Sequence, residues 1–197
     1  MSLPGFYPAT LMPDADWWNA LWPSPDEVLA ALGMAQGIDL AIDLCCGDGL
    51  FTLALTRLAG RVVATDIDPE MIERARARLG AVPCTFAVGD AYRIADMVDA
   101  AADAVFMANT FHGVPDKARL ARAVADVIKP GGRFILVNWH RRPREETTVL
   151  GQPRGPKTEL RIQPSEVQAD VEPAGFSLSS VVELPPYHYG AIFARSR

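Results

Sequence analysis

The chain has 197 residues, 49% hydrophobic and 22% charged, with a net charge of −5. That balance excludes disorder, a collagen-like repeat and a disulfide scaffold, and the length suits one well-buried domain spanning 1–197. No apolar run reaches the roughly 18 residues of a membrane span. The negative charge argues against a nucleic acid or an anionic membrane as main partner, since both need a positive footprint.

Met1–Gly5 carry neither a basic region nor an apolar core, so no signal peptide is expected. The stretch to Pro23 reads as irregular and aromatic, with Phe6, Tyr7, Trp17, Trp18 and Trp22. A helix follows. Ser24 suits its N-cap, Pro25 its first position, Glu27 a capping box, and Gly33 stops it. Residues 1–36 thus form an aromatic segment and a helix ahead of an α/β core over 37–197.

From Leu40 the pattern becomes strand, turn, helix, repeated. Strands are expected at Leu40–Leu44, Arg61–Thr65, Cys84–Val88, Ala104–Ala108 and Arg133–Trp139. Helical stripes lie between them: Leu50 to Leu58, a helix capped by Asp68 with Pro69 first, a short one near Tyr92–Val98, and Asp116–Ile128. Strands alternating with helices at this spacing mean a parallel sheet covered on both faces. The tail departs from that pattern. After a Pro/Arg-rich loop and a helix near Glu166–Glu172, two β-like runs, Phe176–Leu184 and Tyr189–Ala194, are separated only by residues 185–188. They read as a hairpin, so the last strand should be antiparallel.

The chemistry concentrates at the C-terminal ends of the strands, the edge where open α/β sheets bind ligands. Ile42-Asp43-Leu44-Cys45-Cys46-Gly47-Asp48-Gly49 runs from a strand through a glycine turn into a helix. Such a turn lets the backbone approach a ligand and offers it free N–H groups. Asp66 ends the second strand, and a carboxylate there has two oxygens for the two hydroxyls of a ribose. Asp90 ends the third, in Val88-Gly89-Asp90-Ala91, where it suits an adenine amino group or a helix N-cap.

The order Asp43…Gly47-x-Gly49, Asp66, Asp90, Asn109 and the Lys129-Pro130-Gly131-Gly132 turn resembles class I S-adenosylmethionine-dependent methyltransferases. The likeness is to the small-molecule branch that includes the ubiquinone/menaquinone-biosynthesis type, and it covers about Ile38–Asn138. It implies a Rossmann-like, doubly wound sheet of seven strands in the order 3-2-1-4-5-7-6, with strand 7 antiparallel. It also implies S-adenosylmethionine as cofactor and methyl transfer to a small-molecule acceptor. Carried over by position, Asp43 would lie at the pocket floor, Gly47 and Gly49 would pass under the methionine part, and Cys45 between them and Asp43 would be a further cofactor contact. Asp66 would take the ribose, Ile67 would pack on the adenine, and Asp90 with Ala91 would lie at its amino group. Asn109 would stand beside the sulfonium. The family often has glycine where Cys45 stands. No Asn-Pro-Pro-aromatic motif for nucleic-acid amino groups follows the fourth strand, which continues as Asn109-Thr110-Phe111-His112.

Two other readings compete. A dinucleotide-dependent oxidoreductase would need Gly-x-Gly-x-x-Gly, and the third glycine is absent. A protein could also bind S-adenosylmethionine without transferring its methyl group. Cysteines Cys45, Cys46 and Cys84 make an odd count with an adjacent pair and no zinc spacing, so neither a disulfide framework nor a metal site is expected and a reducing cytoplasm fits.

On the acceptor side, Trp17, Trp18 and Trp22 suit either a lid or packing of the first helix. Arg141, Arg142 and Arg144 suit either an anion clamp or a solvated loop countered by Glu145 and Glu146. The three histidines, His112, His140 and His188, follow or enter neighbouring strands, so they are expected along one rim of the cleft among Trp139, Tyr187 and Tyr189. His112 or His140 is the candidate base there.

Overall fold

The computed structural model describes Tyr7 and residues 10–196. Seven strands form one sheet: β1 (Ile38–Leu44), β2 (Ala59–Asp66), β3 (Thr85–Val88), β4 (Ala102–Ala108), β5 (Ile128–Trp139), β8 (Phe176–Leu184) and β9 (His188–Arg195). Their order is β3-β2-β1-β4-β5-β9-β8, with β6 (Thr148–Val149) and β7 (Gln152–Pro153) as a separate two-residue pair. The first five strands pair in parallel, and β9 pairs antiparallel with both neighbours. With β6 and β7 set aside, this is the expected order with the final hairpin strand inserted.

The strands are apolar on both faces because both are covered. Leu40, Ile42, Val105, Met107, Phe134 and Leu136 face α5 (Lys117–Val127) and α6 (Pro164–Val171). Their alternates Ala41, Phe106, Ile135, Val137 and Trp139 face α1 (Ala15–Leu21), α2 (Pro25–Ala31) and α3 (Leu50–Leu55). This is the period-two alternation of a strand between two helical layers. The helix α4 (Pro69–Leu79) buries Met71, Ile72, Ala75 and Leu79, and Asp68 caps it by accepting from the Glu70 N–H at 2.8 Å.

Three local expectations change. The segment before Pro23 is not irregular: α1 forms there with Trp17, Trp18 and Leu21 buried. A ladder of rings holds it, Trp17–Trp18 at 5.9 Å, Trp18–Trp22 at 6.0 Å and Trp22–Phe51 at 5.3 Å. Ser24 makes no side-chain cap, so the capping box with Glu27 is not formed; its carbonyl accepts the Glu27 N–H instead. Strand β5 starts at Ile128 rather than Arg133. Lys129–Gly132 bulges from the ladder, with Ala102 opposite Ile128 but Ala104 opposite Arg133.

His188 sits inside the aromatic layer, its ring 4.5 Å from that of Trp22 and 4.1 Å from that of Trp139. Burial, reinforced by the Arg161 charge, pushes the imidazole well below its ordinary pKa. The unfolded chain takes up a proton at His188 below about pH 6.5 and the folded chain does not, so the stability this site contributes is lost as pH falls. Relative to the parent, His188→Phe should therefore gain about 1.4 kcal/mol per pH unit below pH 6.5. Denaturant unfolding at pH 5 and pH 8 checks this, and an offset independent of pH would contradict it.

Candidate cofactor and acceptor site

A cavity of about 800 Å³ opens at the C-terminal ends of β1, β2, β4 and β5. That volume falls within the range of small-molecule and cofactor pockets. Its walls come from the turn after β1, the end of β2, the segments after β3 and β4, the N-terminal segment with α1, and the loop after β5.

The turn after β1 is left-handed at three positions, the last being Gly49 at φ +80° where α3 begins. Cys45 has φ +62° and Gly47 φ +54°. A non-glycine residue in this region is uncommon, and Cys45 stands where related turns often carry glycine. The turn is tied to β2 by Asp66. Its carboxylate accepts from the Gly47 N–H at 2.9 Å and the Asp68 N–H at 3.0 Å. Burial raises the Asp66 pKa, and those two backbone donors oppose the rise. Arg78 of α4 grips the same turn by an ion pair to Asp48 and a bond to its carbonyl at 3.0 Å.

Asp43 lies beneath this turn, 2% exposed, and accepts from the Thr52 hydroxyl at 2.6 Å. Desolvation raises its pKa to about 7; the Thr52 bond opposes this and the nearby carboxylates add to it. Thr52 stands where a dinucleotide fingerprint would have its third glycine. Its hydroxyl fills that gap, bonded to the floor carboxylate, so the close helix–strand contact of the dinucleotide motif is replaced. Burial and the Asp66 and Asp43 charges also push the Cys45 thiol pKa well up, and that of Cys46 rises too. Both thiols are neutral at ordinary pH, which suits neither redox chemistry nor metal binding.

At the end of β4, Asn109 takes φ +57°, and both polar atoms of its amide are buried without a partner. It lines the cavity beside Thr110 and His112. A strained residue with an orphaned amide facing a pocket is the mark of a ligand contact.

Of the cofactor positions expected from sequence, Asp43, Cys45, Gly47 and Asp66 line the cavity, as do Ile67, Ala91 and Asn109. Gly49 and Asp90 lie outside the lining. At Gly49, with φ +80°, a Cβ would stand 2.9 Å from the Ala75 Cβ and 3.0 Å from its Cα, so the residue serves the contact between α3 and α4. Asp90 caps the turn that follows it, accepting from the Tyr92 N–H at 2.9 Å; its neighbours Gly89 and Ala91 form the wall.

The expected histidine rim is not assembled. His112 lines the cavity and is 6% exposed. His140 follows Trp139 and so points to the opposite face of the sheet, where its Nε2 lies 2.9 Å from the Glu183 carboxylate and its ring 5.1 Å from that of Tyr189. His188 is on the cavity side but lies under Trp139 rather than in the wall. Counting strand neighbours placed the three at one edge; the two-residue period then separated them by face. Among the described residues no group of three or more His, Cys, Asp or Glu side chains could hold a metal ion.

The sequence shows residues 133–161 as a basic stretch, seven bases against three acids, but does not place that stretch in the cavity wall. Arg154 and Lys157 line the cavity together with Arg144, from a loop with no periodic signal. Of the three arginines singled out earlier, Arg141 bonds Glu166 at 2.8 Å and the Arg161 carbonyl at 2.7 Å, and Arg142 is exposed. Only Arg144 reaches the cavity.

The fold and site define a Rossmann-like methyltransferase fold with its ligand cleft at the strand ends. Residues 42–136 match the family model described as "Methyltransferase domain". A ubiquinone biosynthesis O-methyltransferase from Xanthomonas euvesicatoria pv. vesicatoria is 30% identical over 190 residues, covering 84% of this chain and 77% of that protein. The one from Xanthomonas oryzae pv. oryzae is 33% identical over 143 residues, covering 64% of this chain and 57% of its own length. The chain thus spans little more than half of some of the curated relatives it matches. A solved S-adenosylmethionine-dependent methyltransferase from Aquifex aeolicus superposes with a TM-score of 0.74 at 23% identity, covering 92% of this chain and 93% of that one. The chain belongs to the class I S-adenosylmethionine-dependent methyltransferase family, whose cofactor is S-adenosylmethionine.

The floor carboxylate yields a pH-dependent prediction. Below its raised pKa Asp43 is neutral in the folded chain, and above it the fold must hold a buried charge, so Asp43 lowers stability as pH rises from about 4 to about 7. Asp43→Asn keeps an acceptor for Thr52. It should stabilise the ligand-free protein by about 1–2 kcal/mol at pH 5 and by roughly 3 kcal/mol more at pH 8. Thermal unfolding at the two pH values reads the difference, and equal effects would place the carboxyl pKa in the ordinary range.

Proposed function

We propose that this chain transfers the methyl group of S-adenosylmethionine to a small-molecule acceptor by in-line displacement. The observation that carries the reading is the pairing, in one cavity, of the Asp66 carboxylate bound to the glycine turn with the strained, orphaned amide of Asn109. When bound, the cofactor supplies a methyl group already activated by its positive sulfur. The protein's part is then alignment and exclusion of water. Asp66 has lone pairs left for ribose hydroxyls after its two backbone bonds, and Ile67 offers an apolar surface beside it. The Gly47 turn presents its backbone without a side chain, and Asn109 supplies a donor and an acceptor.

His112 is the proposed base for an acceptor that must first lose a proton, because it alone of the three histidines lines the cavity. His140, hydrogen-bonded to Glu183 on the other face, is not part of this reading. The N-terminal segment acts as a lid: Tyr7, Thr10, Met12 and Trp17 all line the cavity, and the Met12 sulfur lies where a Cβ on Gly47 would meet it at 2.9 Å. Phe6 and the rest of residues 1–6 fall outside the described residues. The net charge supports a partner that is neither nucleic acid nor an anionic membrane. Among the described residues no helix is long and apolar enough to cross a membrane. Three free cysteines support a cytoplasmic setting.

Calorimetry tests the cofactor site directly. Asp66→Ala should weaken S-adenosylhomocysteine binding by about 1–3 kcal/mol, and NAD should bind the parent much more weakly than S-adenosylhomocysteine. Unchanged affinity in the variant removes Asp66 from the ribose site, and tight NAD binding favours the oxidoreductase reading. With a hydroxyl acceptor, His112→Gln should lower kcat about 100-fold or more while leaving cofactor affinity within about twofold. An unchanged rate would show that His112 removes no proton.

A further inference from the structure

The cavity has two electrical halves. Carboxylates Asp43, Asp48, Asp66 and Asp68 lie after β1 and β2, on the proposed cofactor side, where the one lining cation among the described residues, Arg74, is paired with Glu70. Arg144, Arg154 and Lys157 lie on the loop beyond β5. The cofactor reading uses none of these three cations, and neither does the fold's set of ion pairs. Among the described residues none of them has a carboxylate within 4.0 Å, although Glu145 and Glu146 follow Arg144 directly.

The loop that carries them is built rather than slack. Arg161 is fully buried and acts as its staple. Its guanidinium donates to the carbonyls of Pro156 at 3.1 Å, Arg142 at 3.0 Å and Arg154 at 3.2 Å, and to the Thr147 hydroxyl at 2.9 Å. It lies 5.0 Å from the centre of the Trp139 ring. Each of these acceptors is neutral, so Arg161 fixes the loop without cancelling its charge.

The loop residues are placed by that staple. Arg144 donates to the Gly155 carbonyl at 3.0 Å, and Arg154 lies over the Trp17 ring at 5.2 Å. The Arg154 Nε is buried and has no acceptor. Three cations without counter-charge, one with an orphaned donor, face a cavity whose adjoining wall is Trp17, Trp18 and Trp139. A buried donor without an acceptor is costly, and guanidinium groups favour planar anions.

We propose that the methyl acceptor is an anion: a small aromatic or other flat molecule bearing a carboxylate or phosphate, held by Arg144, Arg154 and Lys157 against the tryptophan wall. The anionic group anchors the acceptor at the loop end and leaves its far side toward Asn109 and His112. The acceptor role rests on the methyl-transfer reading, whereas the anion site does not. The other carboxylate that could occupy this wall is the cofactor's own, and the test separates the two.

Benzoate, phenyl phosphate and neutral benzamide are titrated by calorimetry into the protein with and without saturating S-adenosylhomocysteine. The parent should bind at least one of the two anions about tenfold or more tightly than benzamide, with the preference shrinking as salt rises. Arg154→Gln and Lys157→Gln should each reduce that preference, and the double variant should abolish it, with S-adenosylhomocysteine affinity within about twofold of the parent. Lys157 is exposed, so its variant preserves the test if Arg154→Gln disturbs the loop. The proposal is overturned by equal binding of anions and benzamide in the parent, or by a preference that survives the double variant. A tenfold loss of S-adenosylhomocysteine affinity in the variants also overturns it, by assigning the cations to the cofactor's carboxylate. A parent that fails to bind S-adenosylhomocysteine but keeps the anion preference rejects the methyl-transfer reading alone.

Discussion

The structure turns on one carboxylate. Asp66, at the end of β2, accepts backbone N–H groups from Gly47 and Asp68, and so joins the turn after β1 to the start of α4. The turn itself needs three left-handed residues, Cys45, Gly47 and Gly49, the first two of which line the cavity. Asp66 thus adds a side-chain tie to β2 beside the backbone bond from the Cys46 N–H to the Thr65 carbonyl at 2.9 Å. The residue proposed to hold the ribose is therefore also the one that shapes the loop beside it.

The floor of the site adds a second constraint of the same kind. Asp43 is buried, so its carboxyl pKa is raised, and its side-chain bond among the described residues is with Thr52 on the helix that the turn launches. Gly49 lets that helix approach α4, because any Cβ there would strike Ala75. Turn, helix and floor are thus one packed unit. At the far side of the cavity the structure uses another device: a buried arginine bonded to backbone carbonyls holds a long loop in a defined course. Guanidinium groups suit this task, since their donors fan out in a plane toward several acceptors.

The buried histidine and the aromatic ladder connect these two halves. Trp22 and Trp139 enclose His188, and the same rings carry α1 and the segment that lines the cavity. The N-terminal segment owes its position to this apolar contact rather than to a strong local propensity, as expected for a seven-residue helix.

Sequence alone was sufficient for the sheet, its strand order through the family resemblance, and most of the cofactor side. Those features are local: alternating periods, a glycine turn, and acids placed at the ends of apolar runs. The strand-end rule then brings Asp43, Asp66 and Asn109 together without further information. Tertiary structure decided the rest. Whether His140 faces the cleft depends on which face of β5 its position falls, and the period of two sends it away from Trp139. Whether Arg154 and Lys157 reach the cavity depends on the course of a loop with no repeat, set by the distant Arg161 and by burial against Trp139. Neither the face of a strand's last residue nor the path of an aperiodic loop is encoded by nearest neighbours, so both emerge only when the layers pack.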